Sequence, residues 1–178
     1  MKKSHFVWVV VIILMLLGIL TRLLPHPPNF SPIAAIAIFG ALYLPKRLYL
    51  IIPIAAMLVS DIFIGFYNPF IMLAVYTGFV LTGIIGLLIR KNKKFYTVLG
   101  GTVLGSIIFF LLTNAAVWVF GTLYPHSLAG LMESYAMAIP FFRNSLLGNL
   151  FYVGVLVGGY ESVKYLLMNN RKVEQELI

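Results

Sequence analysis

Cysteine is absent from the sequence, and ionisable side chains of every other kind are scarce. Without cysteine the chain can form no disulfide bond, no thiol nucleophile and no thiolate metal site. The five acidic residues and three histidines show none of the short spacings that metal ligands require. We therefore expect a protein with no bound metal and no cofactor.

Catalytic motifs are missing as well. The sequence has no serine and histidine at a recognisable catalytic spacing, no H-E-x-x-H motif, no acidic metal cluster and no phosphate-binding loop. A membrane enzyme would need more titratable groups than this chain offers. We predict that the protein is not an enzyme, and that any ATP-driven process must use the ATPase subunits of another protein.

Apolar residues are abundant: 61% of the chain is hydrophobic, only 10% is charged, and the mean hydropathy is +1.00. A soluble domain of 178 residues cannot bury so much apolar surface, so the expected solvent is lipid. The net charge of +8 does not indicate nucleic-acid binding, because the Lys and Arg residues form short clusters between apolar runs.

Proline-containing turns and basic clusters divide the chain into six apolar segments. The predicted helices span about residues 5–24, 32–44, 48–66, 70–89, 95–120 and 140–168, and residues 169–178 form a polar cytoplasmic tail. The sequence thus predicts an all-α integral membrane protein: residues 1–178 form a single domain, a six-helix transmembrane bundle.

The basic residues give this bundle an orientation. With an internal N-terminus and six helices, all but two of the 13 Lys and Arg residues fall on the side of both termini. These are Lys2, Lys3, Lys46, Arg47, Arg90, Lys91, Lys93, Lys94, Lys164, Arg171 and Lys172. Because basic loops stay in the cytoplasm, both termini are predicted to be cytoplasmic. Arg22 and Arg143 remain on the outer side, where the orientation rule does not explain them.

The second segment is short for a membrane span. About 13 residues give roughly 20 Å of helix, against a hydrocarbon core of roughly 30 Å. One interpretation is a recessed outer end at residues 29–32, with Asn29 or Ser31 as the cap and free N–H groups facing an outward hollow. The other interpretation is a tilted helix that starts earlier.

Polar residues of four segments fall into one outer layer. Arg22 ends the first segment, and Asp61 and Asn114 lie near the outer ends of the third and fifth. With Pro140 as the first turn of the sixth helix, Arg143 and Asn144 begin that helix. Because two arginines share one deep carboxylate, we expect Arg143 to lie near Asp61 and to keep donors free for an anionic ligand. The alternative is an ion pair and amide contacts that only fix helix packing.

Two further features belong to the outer side. Phe110, Asn114 and Trp118 share one helical face, which suits a planar ligand, although a lone Trp118 is more often an interface anchor. Ser127 is predicted to cap a short helix in the outer loop, either as a lid or as an interfacial structural helix. The candidate ligand-binding residues are Arg22, Asn29, Asp61, Asn114, Trp118, Arg143 and Asn144.

Residues 29–65 resemble the second and third helices of the substrate-capture (S) components of energy-coupling-factor (ECF) transporters. The resemblance lies in Asn29-Phe30-Ser31-Pro32-Ile33-Ala34-Ala35, Gly40-Ala41, Pro45-Lys46-Arg47 and Ser60-Asp61-x-x-x-Gly65. Nearly the whole chain is similar to a family of small, uncharacterised bacterial membrane proteins. That similarity lies in Arg22-x-x-Pro25-His26, Thr113-Asn114-x-x-x-Trp118, Tyr124-Pro125 and Ile139-Pro140-Phe141-Phe142-Arg143-Asn144.

The resemblance implies a multi-pass protein of the bacterial inner membrane with an outer substrate pocket and a transmembrane coupling partner that carries ATPase subunits. S components typically dock that partner through Ala-x-x-x-Ala on the first helix, which this chain lacks. Its only such pair, Ala37-x-x-x-Ala41, lies on the second segment, so Ala37 and Ala41 are the candidate docking residues. The alternative is helix packing within the bundle.

Two functions are compatible with these observations. The first is capture of a small anionic or zwitterionic micronutrient for uptake, with membrane lipid and a coupling protein as partners. The second is a structural or assembly role, in which the polar layer only locks the helices together. A large outward cavity lined by the polar layer favours the first, and mutual pairing of these groups favours the second.

Overall fold

The computed structural model describes residues 3–46 and 48–176, so Lys2 and Arg47, counted above for orientation, lie outside the described residues. Over these ranges the chain forms six helical rods. They are α1 (Lys3–Leu23), α2 (Ile33–Tyr43), α3 (Leu48–Ile64), α4 (Pro69–Ile89), α5 (Phe95–Phe120) and α6 (Leu128–Val153), which continues through a π-helical turn (Gly154–Gly158) into α7 (Gly159–Glu176). The predicted all-α fold with six helices is confirmed.

Three of the rods are long and apolar enough to cross a membrane. These are Pro69–Ile89, Phe95–Phe120 and the 42-residue stretch Leu128–Asn169. The apolar parts of the other three, Val7–Leu23, Ile33–Tyr43 and Leu48–Ile64, are shorter than a full span. The helix lengths agree with a membrane protein. That all six rods cross the membrane stays a prediction.

The short helix α2 is the centre of the bundle. Every residue from Ile33 to Leu42 is buried, and α2 contacts each of the other five rods. A helix that is apolar on all sides can occupy such a position without exposing a polar face to its neighbours. Because α2 begins at Ile33, the interpretation of a helix that starts earlier is wrong.

The remaining rods form an open ring around α2. In this ring α1 packs on α3, α3 on α4, α4 on α5 and α5 on α6, whereas within the described ranges the backbones of α1 and α6 do not approach each other closely. Glycine also allows α4 to pack closely on the central helix α2, because a Cβ added to Gly86 of α4 would lie 2.7 Å from the Cβ of Ala41. Ala37 and Ala41 are fully buried against the protein's own helices, so the expected docking of a partner on them is corrected to internal packing.

The sixth predicted helix begins twelve residues earlier than expected, at Leu128 instead of residue 140. Ser127 caps it as predicted, since its Oγ accepts a hydrogen bond from the Gly130 N–H at 3.2 Å. The helix then continues instead of ending in the outer loop, and Pro140 lies in its interior. Proline is tolerated inside membrane helices, because neighbouring groups can satisfy the carbonyl that it leaves free. Arg143 is therefore not at a helix N-terminus.

Candidate ligand-binding site

A cavity of about 520 Å³ lies at one end of the bundle. Its walls come from the C-terminal parts of α1, α3 and α5, the N-terminal parts of α2 and α4, and the middle of α6. This pattern shows that successive rods run in opposite directions. The polar residues of the lining are Arg22, His26, Asn29, Ser31, Tyr67, Ser106, Thr113, Asn114, Ser145 and Asn149.

Arg22 lines the cavity and forms an ion pair with Asp61, which is buried behind it. Asp61 is completely buried, and its Oδ1 accepts a hydrogen bond from Nη2 of Arg22. Its Oδ2 accepts a second hydrogen bond, from the Tyr76 hydroxyl at 2.7 Å. The other terminal nitrogen of Arg22, Nη1, donates to Sδ of Met57. The pair therefore joins α1, α3 and α4, and only its Arg22 member reaches the cavity.

Two amides line the cavity with their N–H groups already engaged. Asn114 donates through Nδ2 to the Phe110 carbonyl at 2.8 Å. Asn149 donates through Nδ2 to Oγ of Ser106 at 2.9 Å, and the Ser106 hydroxyl donates onward to the Thr102 carbonyl at 2.9 Å. These partners fix the amide orientations, because a carbonyl oxygen can only accept. The side-chain oxygens of both asparagines are consequently left as acceptors.

Aromatic rings make up much of the apolar wall. Phe110 of α5 and Phe142 of α6 have ring centroids 4.7 Å apart, and Phe79 of α4 and Phe109 of α5 have centroids 4.8 Å apart. All four rings line the cavity. Offset and tilted aromatic pairs of this spacing are stable, and they offer flat surfaces against which a ligand can pack.

The α1–α2 connection closes one side of the cavity. Asn29 adopts a left-handed backbone conformation with φ of 62°, and the Phe30 N–H donates to the Pro27 carbonyl at 3.0 Å across this turn. Asparagine tolerates this conformation better than most residues. The side chain of Asn144 in α6 donates to the Pro28 carbonyl at 3.1 Å and so holds the connection in place.

Tyr67, in the α3–α4 connection, also borders the cavity. Partial burial, and then the nearby Asp61 carboxylate, raise the pKa of the Tyr67 phenol above its ordinary value, while Arg22 acts in the opposite direction. The phenol therefore stays protonated at neutral pH and keeps its O–H donor.

The seven predicted site residues divide into two groups. Arg22, Asn29 and Asn114 line the cavity, and Asp61 lies directly behind Arg22. The other three residues, Asn144, Trp118 and Arg143, are not part of the lining.

Asn144 fixes the α1–α2 connection, which is the packing role that amides usually have. Trp118 donates from its indole N–H to the Pro125 carbonyl at 2.9 Å, so it anchors the α5–α6 connection and does not face a ligand. Arg143 has an exposed side chain. Its expected place beside Asp61 is corrected, because Arg22 and Tyr76 occupy both carboxylate oxygens.

Two cavity residues, Ser106 and Asn149, and the Asp61 partner Tyr76 were missed in the sequence. Tyr76, Ser106 and Asn149 carry single polar groups inside apolar helices, and hydroxyl groups there often bond to their own backbone. The signal for Asn149 was an amide within an apolar run, five residues after Asn144. Nothing in the sequence indicated that Asn149 faces inward and Asn144 faces the α1–α2 connection.

A metal site requires several ligating side chains in one place. Within residues 3–46 and 48–176, no three His, Cys, Asp or Glu side chains come together. In the part of the chain that the structure describes, Asp61 pairs with Arg22 and Glu161 pairs with Lys164.

Comparison with known proteins gives a family match. The sequence model of a family described as "Family of unknown function (DUF6580)" matches residues 2–172. No curated protein sequence matches the chain, and no solved structure does.

Proposed function

The chain belongs to this family of unknown function (DUF6580), and we propose that it is a membrane protein that binds a small molecule in its cavity for uptake. In this proposal it acts like the S components of ECF transporters, which residues 29–65 resemble. The cavity supports the proposal most directly. Its volume of about 520 Å³ falls within the range of small-molecule sites, roughly 300–1,000 Å³.

The composition of the wall supports binding over packing alone. Side chains of six helices and two connections converge on the cavity, with aromatic rings and a few polar groups between them. This combination of an apolar surface and convergent polar groups is typical of ligand sites. A bundle whose polar residues only lock helices would gain stability by filling a cavity of this size, since empty cavities cost free energy.

The charge distribution supports an outward-facing cavity. Lys93 of the α4–α5 connection lies 4.2 Å from the ring centroid of Tyr43, at the end of α2 remote from the cavity. Lys164 and Glu161 of α7 lie at the same end, where Glu161 accepts a hydrogen bond from Tyr43. If this basic end is cytoplasmic, as positive residues near membrane helices usually are, the cavity opens outward.

The alternative function is structural. The observation in its favour is the mutual pairing of Arg22, Asp61 and Tyr76, which leaves both carboxylate oxygens satisfied without any ligand. Such a group can fix the packing of three helices by itself. The two functions predict different contents for the cavity: a bound small molecule in the first, and no specific ligand in the second.

Native mass spectrometry of the protein purified in a mild detergent tests the proposal. We expect a small-molecule adduct that is neither lipid nor detergent and that is released when the protein unfolds. A spectrum that contains only the bare protein and its lipid and detergent adducts would favour the structural function.

A coupling partner is also part of the proposal, because the chain has no phosphate-binding loop to drive transport. Ala37 and Ala41 do not provide its docking surface, since both are fully buried. Co-purification of the full-length protein with candidate ATPase-linked membrane subunits tests this part separately from ligand binding.

A further inference from the structure

The cavity lining carries almost no net charge. Arg22 is the permanently charged residue among the described residues of the lining, and its guanidinium is paired with the buried Asp61 carboxylate. Arg143, the other cation expected at this end, is exposed outside the lining. The unpaired positive charge that would attract an anion is therefore missing from the cavity, and burying an unpaired ligand charge there would be unfavourable.

Two of the three amide side chains of the cavity are arranged to accept hydrogen bonds. Asn114 and Asn149 use their N–H groups within the protein, on the Phe110 carbonyl and the Ser106 hydroxyl. The Oδ1 atoms of both asparagines accept no hydrogen bond within the described residues, and both residues line the cavity. A carboxylate or phosphate brings only acceptors, so it cannot satisfy these oxygens.

The aromatic wall indicates what kind of molecular framework a ligand of this cavity should have. The rings of Phe79, Phe109, Phe110 and Phe142 line the same cavity as the two amides and pack against one another in pairs. Flat apolar groups pack best against such rings. The hydrogen-bond donors of the molecule would then point from this flat body towards Asn114 and Asn149.

We infer that the cavity selects an uncharged, largely flat or aromatic molecule that donates hydrogen bonds through N–H or O–H groups, and that it discriminates against anions. This inference rests on the proposed function, because it assigns the class of molecule that the same cavity binds. It replaces the anionic ligand expected from the sequence. The acceptor oxygens of Asn114 and Asn149 are its specificity-determining groups.

Three indole probes of nearly equal size test whether the cavity prefers a neutral, an anionic or a cationic ligand. Indole-3-acetamide is neutral and donates hydrogen bonds, indole-3-acetate is an anion, and tryptamine is a cation. Isothermal titration of the full-length protein in detergent should show that the acetamide binds at least about tenfold more tightly than the acetate, because the acetate leaves the acceptor oxygens unpaired. Tryptamine should also bind less tightly than the acetamide, since it brings an unpaired charge into the cavity.

The variant Asn114→Leu tests the assigned residue. It removes the acceptor oxygen while keeping a side chain of similar size, so the affinity for indole-3-acetamide should fall about 3- to 10-fold, as expected for one neutral hydrogen bond. The affinity for indole-3-acetate should not fall. Asn92→Leu, in the exposed α4–α5 connection, is the matched control and should change neither affinity.

Three results would overturn the inference. They are equal or tighter binding of indole-3-acetate or tryptamine, binding of none of the three probes, and an unchanged acetamide affinity in Asn114→Leu. The proposed function fails by a different measurement, the absence of any retained small molecule in native mass spectrometry. An anion retained in native mass spectrometry would thus refute the uncharged ligand class, while the proposal that the cavity binds a small molecule would still hold.

Discussion

Asp61 receives hydrogen bonds from two helices other than its own, through Arg22 of α1 and Tyr76 of α4. The Asp61 side chain is 1% exposed and that of Arg22 is 17% exposed, so removal of the carboxylate leaves a mostly buried cation without a partner. Breaking a buried pair in this way is strongly destabilising, whereas removing both charges is much less so.

We expect Asp61→Asn to lower the free energy of unfolding by about 3 kcal/mol, the lower end of the range for broken buried pairs because Arg22 keeps some exposure. The double variant Arg22→Gln, Asp61→Asn should recover most of this loss, since no charge remains buried. Chemical denaturation in detergent measures both. A double variant no more stable than the single one would show that the charge of Arg22 is not the cause.

Arg143 shows the limit of sequence reasoning for a single residue. Its place in the sixth helix followed from the sequence, but neither its depth in that helix nor the direction of its side chain did. The predicted helix start at Pro140 placed Arg143 in a first turn, whereas the helix actually starts at Leu128. Because the exposed Arg143 does not line the cavity, the expectation that it keeps donors free for an anionic ligand no longer follows.

Among the elements, α2 has the most neighbours and the least informative sequence. Its residues Ile33–Tyr43 are apolar on every side, so no periodicity separates a lipid-facing surface from a protein-facing one. Its length alone indicated that it could not span a bilayer in the usual way. The central position of α2 could therefore be seen only in the packed structure.

Close packing of α4 on α2 depends on Gly86. A Cβ at this position would lie 2.7 Å from Ala41 Cβ and 3.2 Å from Ile38 Cα, so one helix must move. Gly100 of α5 provides the control, because a Cβ there meets nothing within 4 Å. Both glycines lie inside helices, where alanine is otherwise favoured by roughly 0.5–1 kcal/mol.

We predict opposite effects of the same substitution at these two sites. Gly86→Ala should destabilise the bundle by about 1–3 kcal/mol through overpacking, while Gly100→Ala should leave its stability unchanged or slightly increased. Thermal unfolding of both variants in one detergent checks the pair. An equal melting temperature for the two variants would contradict the packing of α4 on α2.

On the scale of the whole molecule, the cavity and the basic α4–α5 connection lie at opposite ends. The cavity end contains the α1–α2, α3–α4 and α5–α6 connections, and the other end contains the α4–α5 connection with Lys93. The sequence predicted this separation well, because the order of helices and loops determines which connections share an end. The cavity itself was less predictable, since its shape depends on side-chain directions in six helices.

Cysteine labelling in intact cells tests the proposed orientation without background, because the chain has no cysteine. Asn92→Cys lies in the α4–α5 connection, and Leu123→Cys lies in the exposed α5–α6 connection. A membrane-impermeant reagent should modify Leu123→Cys in intact cells and Asn92→Cys only after the cells are opened. Modification of Asn92→Cys in intact cells would reverse the orientation and the outward opening of the cavity.

The central claim is that the cavity holds a small molecule, and a matched pair of variants in α6 tests it most directly. Ala138 lines the cavity and is 8% exposed, whereas Ala136, two residues earlier, is exposed on the surface. Phenylalanine at position 138 would fill part of the cavity, while phenylalanine at position 136 would not reach it.

The measurement is native mass spectrometry of the wild type, Ala138→Phe and Ala136→Phe, each shown to be folded by its thermal transition. We predict that the wild type and Ala136→Phe retain the same small-molecule adduct and that Ala138→Phe loses it. Retention of that adduct by folded Ala138→Phe, or its absence from the wild type, would contradict the claim.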